Sequence, residues 1–292
     1  MHSINHSFGI YLSAILISLV IATSSKAQQA PQELISLYTQ QAPVLDGTID
    51  DVWNSAPAHR VTVREAMGGI NPQEVIFRSL HTDEMLYVLV QWEDDTRSDM
   101  RDPFVWNAET SSYERPTIAD DQFALEFPLE GELMVNMLAE GHSYTADVWH
   151  WKAGRSNLDG WVDDKRHLIS PTPIPGGLPY ALGGRATVHI ARPMDSGQAS
   201  YASIDPPAQF AGEIVPSYVS QSPDGSQQDV PGKGIHDGSS WTLEMGRRFV
   251  TGNEDDTAIN PETGILCAIA ILDDELYWHH SVSDLLILKF HR

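Results

Sequence analysis

Cysteine is almost absent: Cys267, inside the apolar run ILCAIAIL, is the only one. An intramolecular disulfide is thereby excluded, and so is any CxxCH attachment through thioether links. Basic residues are scarce too, 18 Lys and Arg against 40 Asp and Glu, for a formal charge of −22. Such a chain repels nucleic acid and anionic membrane surfaces and is drawn toward basic partners. Also missing are amphipathic helical stretches of ordinary length, internal repeats, and any Ser-His-Asp or glycosidase-like arrangement. An independent hydrolase is therefore a distant reading.

The one long apolar run lies near the start, from Phe8 to Ala22. It is short for a bilayer span and leads into a small-residue exit, Ser25-Lys26-Ala27, so residues 1–27 read as a secretory signal cut before Gln28. No cysteine stands at that site, which disfavours a lipoprotein. The expected mature chain, 28–292, is a periplasmic protein with no membrane segment after cleavage. It is one charge more negative than the whole, since Lys26 is the only charged residue removed. Its roughly 265 residues suffice for one large β domain.

What remains is rich in alternation. HRVTVRE, EVIFRSLH and MLYVLVQWED read as consecutive antiparallel strands, and Phe123, Leu125 and Phe127 as one face of another. Leu133, Val135 and Met137 are expected to line the strand after it, with Met134 facing the other way. Ala146, Val148 and His150 should share one side of a further strand, and Asp147, Trp149 and Trp151 the other. Trp241, Leu243 and Met245 alternate, ILCAIAIL reads as a buried strand, and the chain closes on an alternating run from Leu285 to Phe290. Asp46, Asp50 and Asp51 lack the spacing of a calcium loop and suit turns and caps beside a Trp53 pinned to a core. From about 170 to 240 the composition shifts to Pro, Gly, Ser and Gln, as in an insertion or cover, with RATVHIARP the one clear strand. The fold class is an all-β, antiparallel β-sandwich with long loop insertions.

The chemistry concentrates between Leu133 and His167, where two methionines (Met134, Met137), three histidines (His142, His150, His167) and three tryptophans (Trp149, Trp151, Trp161) occur together. Soft sulfur, imidazole and flat rings suit a buried metal macrocycle better than hydrolysis or phosphate chemistry, although the same residues also make ordinary cores. Lys152 and Arg155 can pair with carboxylates or lie in solvent. The acid pairs Asp163/Asp164 and Asp255/Asp256 read as loop caps or rim charge.

LDGTIDDVW, LYVLVQWEDDT, ADVWHWKAGRSN with WVDD, and the closing WTLEMGRRFVTGNEDD, AIAILDD and HHSVS together resemble the haem-binding domain of the ethylbenzene dehydrogenase type. That domain looks like the γ subunit of type II dimethyl sulfoxide reductase family enzymes and the cytochrome c-552/dimethyl sulfoxide reductase-like haem-binding domain, and is similar in fold to family 9 carbohydrate-binding modules. The resemblance implies a b-type haem (heme b), non-covalently bound, in a non-catalytic electron-transfer subunit of an oxidoreductase. It implies iron-sulfur or molybdenum enzyme subunits and a periplasmic cytochrome as partners. It further implies a methionine ligand before the DVWHW stretch, here Met137 with Met134 in reserve, and a lysine ligand near the last strand. His280 stands in that second region, which puts the identity of the ligand in doubt. His142, His279 and His150 stay open as alternatives, with Trp149, Trp151 and Trp278 either flanking the macrocycle or filling the core, and Lys152 and Arg155 either pairing with its propionates or lying in solvent. The competing expectation is a carbohydrate-binding module without haem, for which Trp106, Tyr113 and Trp161 would form a flat exposed row.

Overall fold

Alternating β-branched and aromatic residues between short turns leave the chain little option but paired strands, and a computed structural model bears this out. It describes residues 30–65, 72–181, 187–274 and 281–292. Among these, the first nine strands are β1 (Gln32–Tyr38), β2 (His59–Glu65), β3 (Gln73–His81), β4 (Met85–Glu93), β5 (Phe104–Asn107), β6 (Ser112–Glu114), β7 (Gln122–Glu130), β8 (Tyr144–Lys152) and β9 (Asp163–Ser170). The remainder are β10 (Leu178–Ala181), β11 (Thr187–Ala191), β12 (Tyr201–Ser203), β13 (Ile214–Val215), β14 (Tyr218–Ser220), β15 (Gly232–His236), β16 (Ser240–Arg248), β17 (Ile265–Leu272), β18 (Ser281–Ser283) and β19 (Leu286–His291).

The main sheet follows the path β10-β11-β9-β8-β7-β17-β18-β2-β3-β4-β16-β15. Its two ends fold over one core, in which Phe123, Phe127, Trp149 and Trp151 from β7 and β8 meet Phe77, Val88, Trp92, Trp241 and Leu243 from β3, β4 and β16. The pairings are antiparallel except at β1, which lies parallel to both β19 and β3. That strand straps the closing strand to the second layer. Trp151, Trp241 and Trp92 pack at the centre of the core, with Trp151 edge-on to the other two. Gly234 belongs to that contact: a Cβ there would sit 2.3 Å from the Trp151 ring.

Two corrections concern local structure. Residues 131–143, expected to hold a strand with Leu133, Val135 and Met137 on one face, form an irregular segment instead. The β7–β8 register slips between Pro128 and Glu130, β7 ends at Glu130, and Gly131 takes a left-handed φ of 77° that stops the ladder. The stretch 170–240, expected to carry one clear strand, carries six, β10 to β15. Of these, β11 joins the main sheet beside β9, and β15 joins it beside β16. Pro and Gly punctuate that segment without emptying it of pairing.

Trp53 sits where expected, in a short turn from Asp51 to Ser55 on the outer side of β3 and β4, its indole donating to Glu244 Oε1 at 2.6 Å. Asp46 and Asp50 accept from the backbone of Thr48 and Val44, which are turn roles. No helix among the described residues is long and apolar enough to cross a membrane.

Candidate functional site

Successive side chains of a strand point to opposite faces, and β8 shows the consequence most plainly. Asp147, Trp149 and Trp151 point inward, the two tryptophans into the main core. Tyr144, Ala146, Val148, His150 and Lys152 point to the outer face. Register then fixes who shares that face: Ala270, Ala124, His150 and Asp163 lie across one row, and Ala268, Glu126, Val148 and Lys165 across the next. In the row beyond, Pro128, Ala146 and His167 are neighbours.

An outer face of a sheet normally meets water, yet this one is covered. The irregular 131–143 segment folds back over it, and Leu133, Met134, Met137 and Leu138 pack on Tyr144, Ala146 and Val148. Tyr144 fixes the segment by donating its hydroxyl to the Met134 carbonyl at 2.8 Å. Both methionines therefore lie against the same cluster, not on opposite sides. Leu285, at the start of the closing run, joins the cluster from the other end of the domain.

Beneath the methionines lies an unusual set of ionisable groups. Glu126 has only 15 % of its side chain exposed and the nearby His167 10 %, with 3.8 Å between Oε2 and Nδ1. Burial alone lifts the Glu126 carboxyl to about 8, so it is neutral at pH 7. Burial, reinforced by Lys152 and Lys165, holds His150 well below the ordinary imidazole range, and burial with Lys165 does the same to His167. Lys165 falls to about 7, again mainly through burial and then through Lys152. Its Nζ lies 3.5 Å from His150 Nδ1. His150 Nε2 and His167 Nδ1 are buried without a hydrogen-bond partner. Such atoms each cost about 1–3 kcal/mol if nothing else meets them.

At the edge of this row Lys152 is buried, not solvated. It bonds to Asp163 Oδ2, and Tyr201 donates to the same carboxylate at 3.0 Å. Arg155 makes a two-point contact with Asp120, at 3.1 and 2.7 Å. A chain poor in cations thus gathers Lys152, Arg155 and Lys165 beside one covered face.

The expected residues separate accordingly. Met134, Met137, His150 and Lys152 come to the outer face or its edge, and His142 is half-buried in the covering segment. Trp149 does not join them. It belongs to the inner core, with the Arg247 guanidinium 5.1 Å over its ring, and the sheet itself divides it from the methionines. Trp278, His279 and His280 lie outside the described residues. Trp106 and Tyr113 stand edge to face at 70°, which is not a flat row.

Sequence reasoning gave no role to Glu126, Lys165, His167 or Arg247, although His167 is counted in the Leu133–His167 stretch. The first three were signalled by parity, since Lys165 and His167 alternate with Asp163 along DDKRHLIS. Arg247 carried no such signal. It is wholly buried between the layers, 2.7 Å from Asp147, 3.0 Å from Asp256 and 3.6 Å from Asp164. Asp164, Asp255 and Asp256 are therefore buried participants, not rim charge; Asp255 alone keeps a loop-capping role, accepting from the Ser196 backbone and the Ser226 hydroxyl.

A family model described as ethylbenzene dehydrogenase matches residues 50–282. The chain belongs to that family. This ethylbenzene dehydrogenase family chain is also similar in fold to a family 9 carbohydrate-binding module from Caldicellulosiruptor kristjanssonii, solved with glucose, at 11 % identity over 89 % of this chain and 96 % of that one, TM-score 0.40. A putative carbohydrate-binding protein from Bacteroides uniformis is similar at 13 % identity over 90 % of this chain and 100 % of that one, TM-score 0.41. No curated protein matches the family member's sequence.

Proposed function

We propose that the chain is an exported, b-type haem-binding electron-transfer protein or subunit, working between a periplasmic molybdenum or iron-sulfur enzyme and a cytochrome. The observation that carries this reading is the covered outer face of β8, where Met134 and Met137 pack with Ala124, Ala146 and Val148 and which also carries His150, whose Nε2 has no hydrogen-bond partner. The donor set fits the group. Ala124, Ala268 and Ala270 keep part of that floor low, as a flat macrocycle needs, and Lys152, Arg155 and Lys165 offer cations for its two carboxylates.

Met137 is the proposed thioether ligand, with Met134 next in line. His280 is the proposed nitrogen ligand, and His150 is the rival that the test must separate. Bound there, a haem b supplies a one-electron Fe(III)/Fe(II) couple, and a Met/His pair favours its reduced form over two nitrogens. The chain's own residues do the rest. The apolar cover of Leu133, Met134 and Leu138 excludes water, and Glu126, neutral at pH 7, adds no anionic charge beside the iron. Lys165 titrates near neutrality and tunes the charge of the same face.

The alternative of a carbohydrate-binding module without haem is less well supported, because Trp106 and Tyr113 do not form a platform. Titration of the apoprotein with hemin, followed by reduction with dithionite, tests the proposal. A saturable Soret band with sharp low-spin bands on reduction is expected, lost in Met137→Ala and His280→Ala and kept in His150→Ala. Loss in His150→Ala with retention in His280→Ala would reassign the nitrogen. No uptake by the wild-type chain would overturn the function.

A further inference from the structure

Away from the covered face, three strand ends bring three carboxylates together: Asp94 after β4, Asp121 before β7 and Asp273 after β17. One carboxylate oxygen from each lies within 4.8 Å of the other two. Asp94 is 5 % exposed and Asp121 not at all. Each uses one oxygen locally. Asp94 Oδ1 accepts from the Thr96 backbone and hydroxyl, and Asp121 Oδ2 accepts from the Ser98 backbone at 2.8 Å and the Trp241 indole at 3.0 Å. Their other oxygens, Asp94 Oδ2 and Asp121 Oδ1, are buried with no hydrogen-bond partner.

Two orphaned carboxylate oxygens in one buried cluster are costly, and Asp147, Asp164 and Asp195 leave such oxygens as well. The contrast with the other acidic clusters is informative. Asp147, Asp164 and Asp256 also converge, but around the Arg247 guanidinium, which supplies the positive charge. No Lys or Arg contact to Asp94 or Asp121 is found among the described residues. Their mutual repulsion adds to burial in lifting Asp121 to about 7.

We propose that Asp94, Asp121 and Asp273 form a binding site for a hard divalent cation of the calcium class, tying the ends of β4, β7 and β17 together. The donors are all oxygen, which suits calcium and not zinc or copper. A cleft lined by Arg97, Asp99, Asn157, Lys233, His236 and Trp241 lies alongside. Two of its walls touch the site, since Trp241 bonds Asp121 and His236 Nε2 lies 2.9 Å from the Asp94 carbonyl oxygen.

Trp241 also provides the assay, because its indole nitrogen is 3.0 Å from a proposed ligand and can sensitise terbium emission. The full exported chain, stripped with chelator, is titrated with Tb³⁺ under tryptophan excitation, then back-titrated with Ca²⁺; in parallel its thermal midpoint is followed with Ca²⁺ and with chelator. The expected result is sensitised emission saturating at one ion per chain, displaced by Ca²⁺, with affinity at least tenfold lower in Asp121→Asn and in Asp94→Asn. The wild-type midpoint should rise with Ca²⁺ and those of the two variants should not. Emission of equal affinity in both variants would assign the ion to the acidic surface and overturn the site. So would a wild-type chain whose midpoint ignores Ca²⁺, a readout that stands even if a variant fails to fold.

Discussion

The two faces of β8 are built from alternate residues of one nine-residue strand, yet they solve different problems. The inner face is filled by Trp149 and Trp151 against Phe127 and Trp241, and the rings complete one another. The outer face is covered by Leu133, Met134 and Met137, yet underneath it keeps Glu126, His150, Lys165 and His167. A core that served packing alone would not hold four ionisable groups under a methionine cover, since each loses hydration that no protein partner returns in full. The inner face holds the sandwich together; the outer face buries ionisable groups that packing alone does not explain.

The largest effect expected from this contrast is on the inner face. Trp151→Ala should cost about 3–5 kcal/mol, because it removes a fully buried ring that contacts Trp92, Trp241 and Gly234. Denaturant unfolding of the apoprotein would measure it, and a loss below about 1 kcal/mol would break the distinction between the faces.

Next is the pH dependence set by the outer face. The carboxyl of Glu126 is raised in the folded protein from 4.5 to about 8. The folded state therefore holds a proton that the unfolded state releases. Its contribution is complete below the unfolded value and is lost as pH rises through about 8. Glu126→Gln keeps the neutral form and should flatten that loss, making the variant more stable than the wild type at pH 9 by on the order of 3 kcal/mol. Unfolding of the apoprotein at pH 6 and pH 9 would decide, and a variant with the wild-type slope would remove Glu126 from the buried set. Smallest in stability is Ala270→Leu, on the half-buried outer floor, which should shift the apoprotein by no more than about 1 kcal/mol while reducing hemin uptake at least tenfold. Unimpaired uptake would place the group elsewhere.

Much of this was legible before any coordinates. The parity of β8 follows from the alternation of TADVWHWK alone, and the strands from His59 to Glu93 stand where Val, Ile and Phe alternate. What parity could not foresee was Gly131, whose left-handed backbone ends β7 and turns Leu133 to Leu138 from a strand into a cover. Parity did place Trp149 and His150 on opposite faces, so the two could not both flank one macrocycle, and Trp149 lies in the inner core. The Arg247 centre was illegible for a different reason: its partners Asp147, Asp164 and Asp256 come from three separated stretches, and only the closing of the two layers brings them together.

The most direct test of the covered face is the haem content of the chain exported by a haem-replete host, measured by pyridine haemochrome against protein concentration. One non-covalent haem b per chain is expected, extractable into acidic acetone and absent from Ala270→Leu. A colourless wild-type protein that hemin cannot reconstitute would contradict it, and would leave the methionines as packing over a face whose buried charges serve some other ligand.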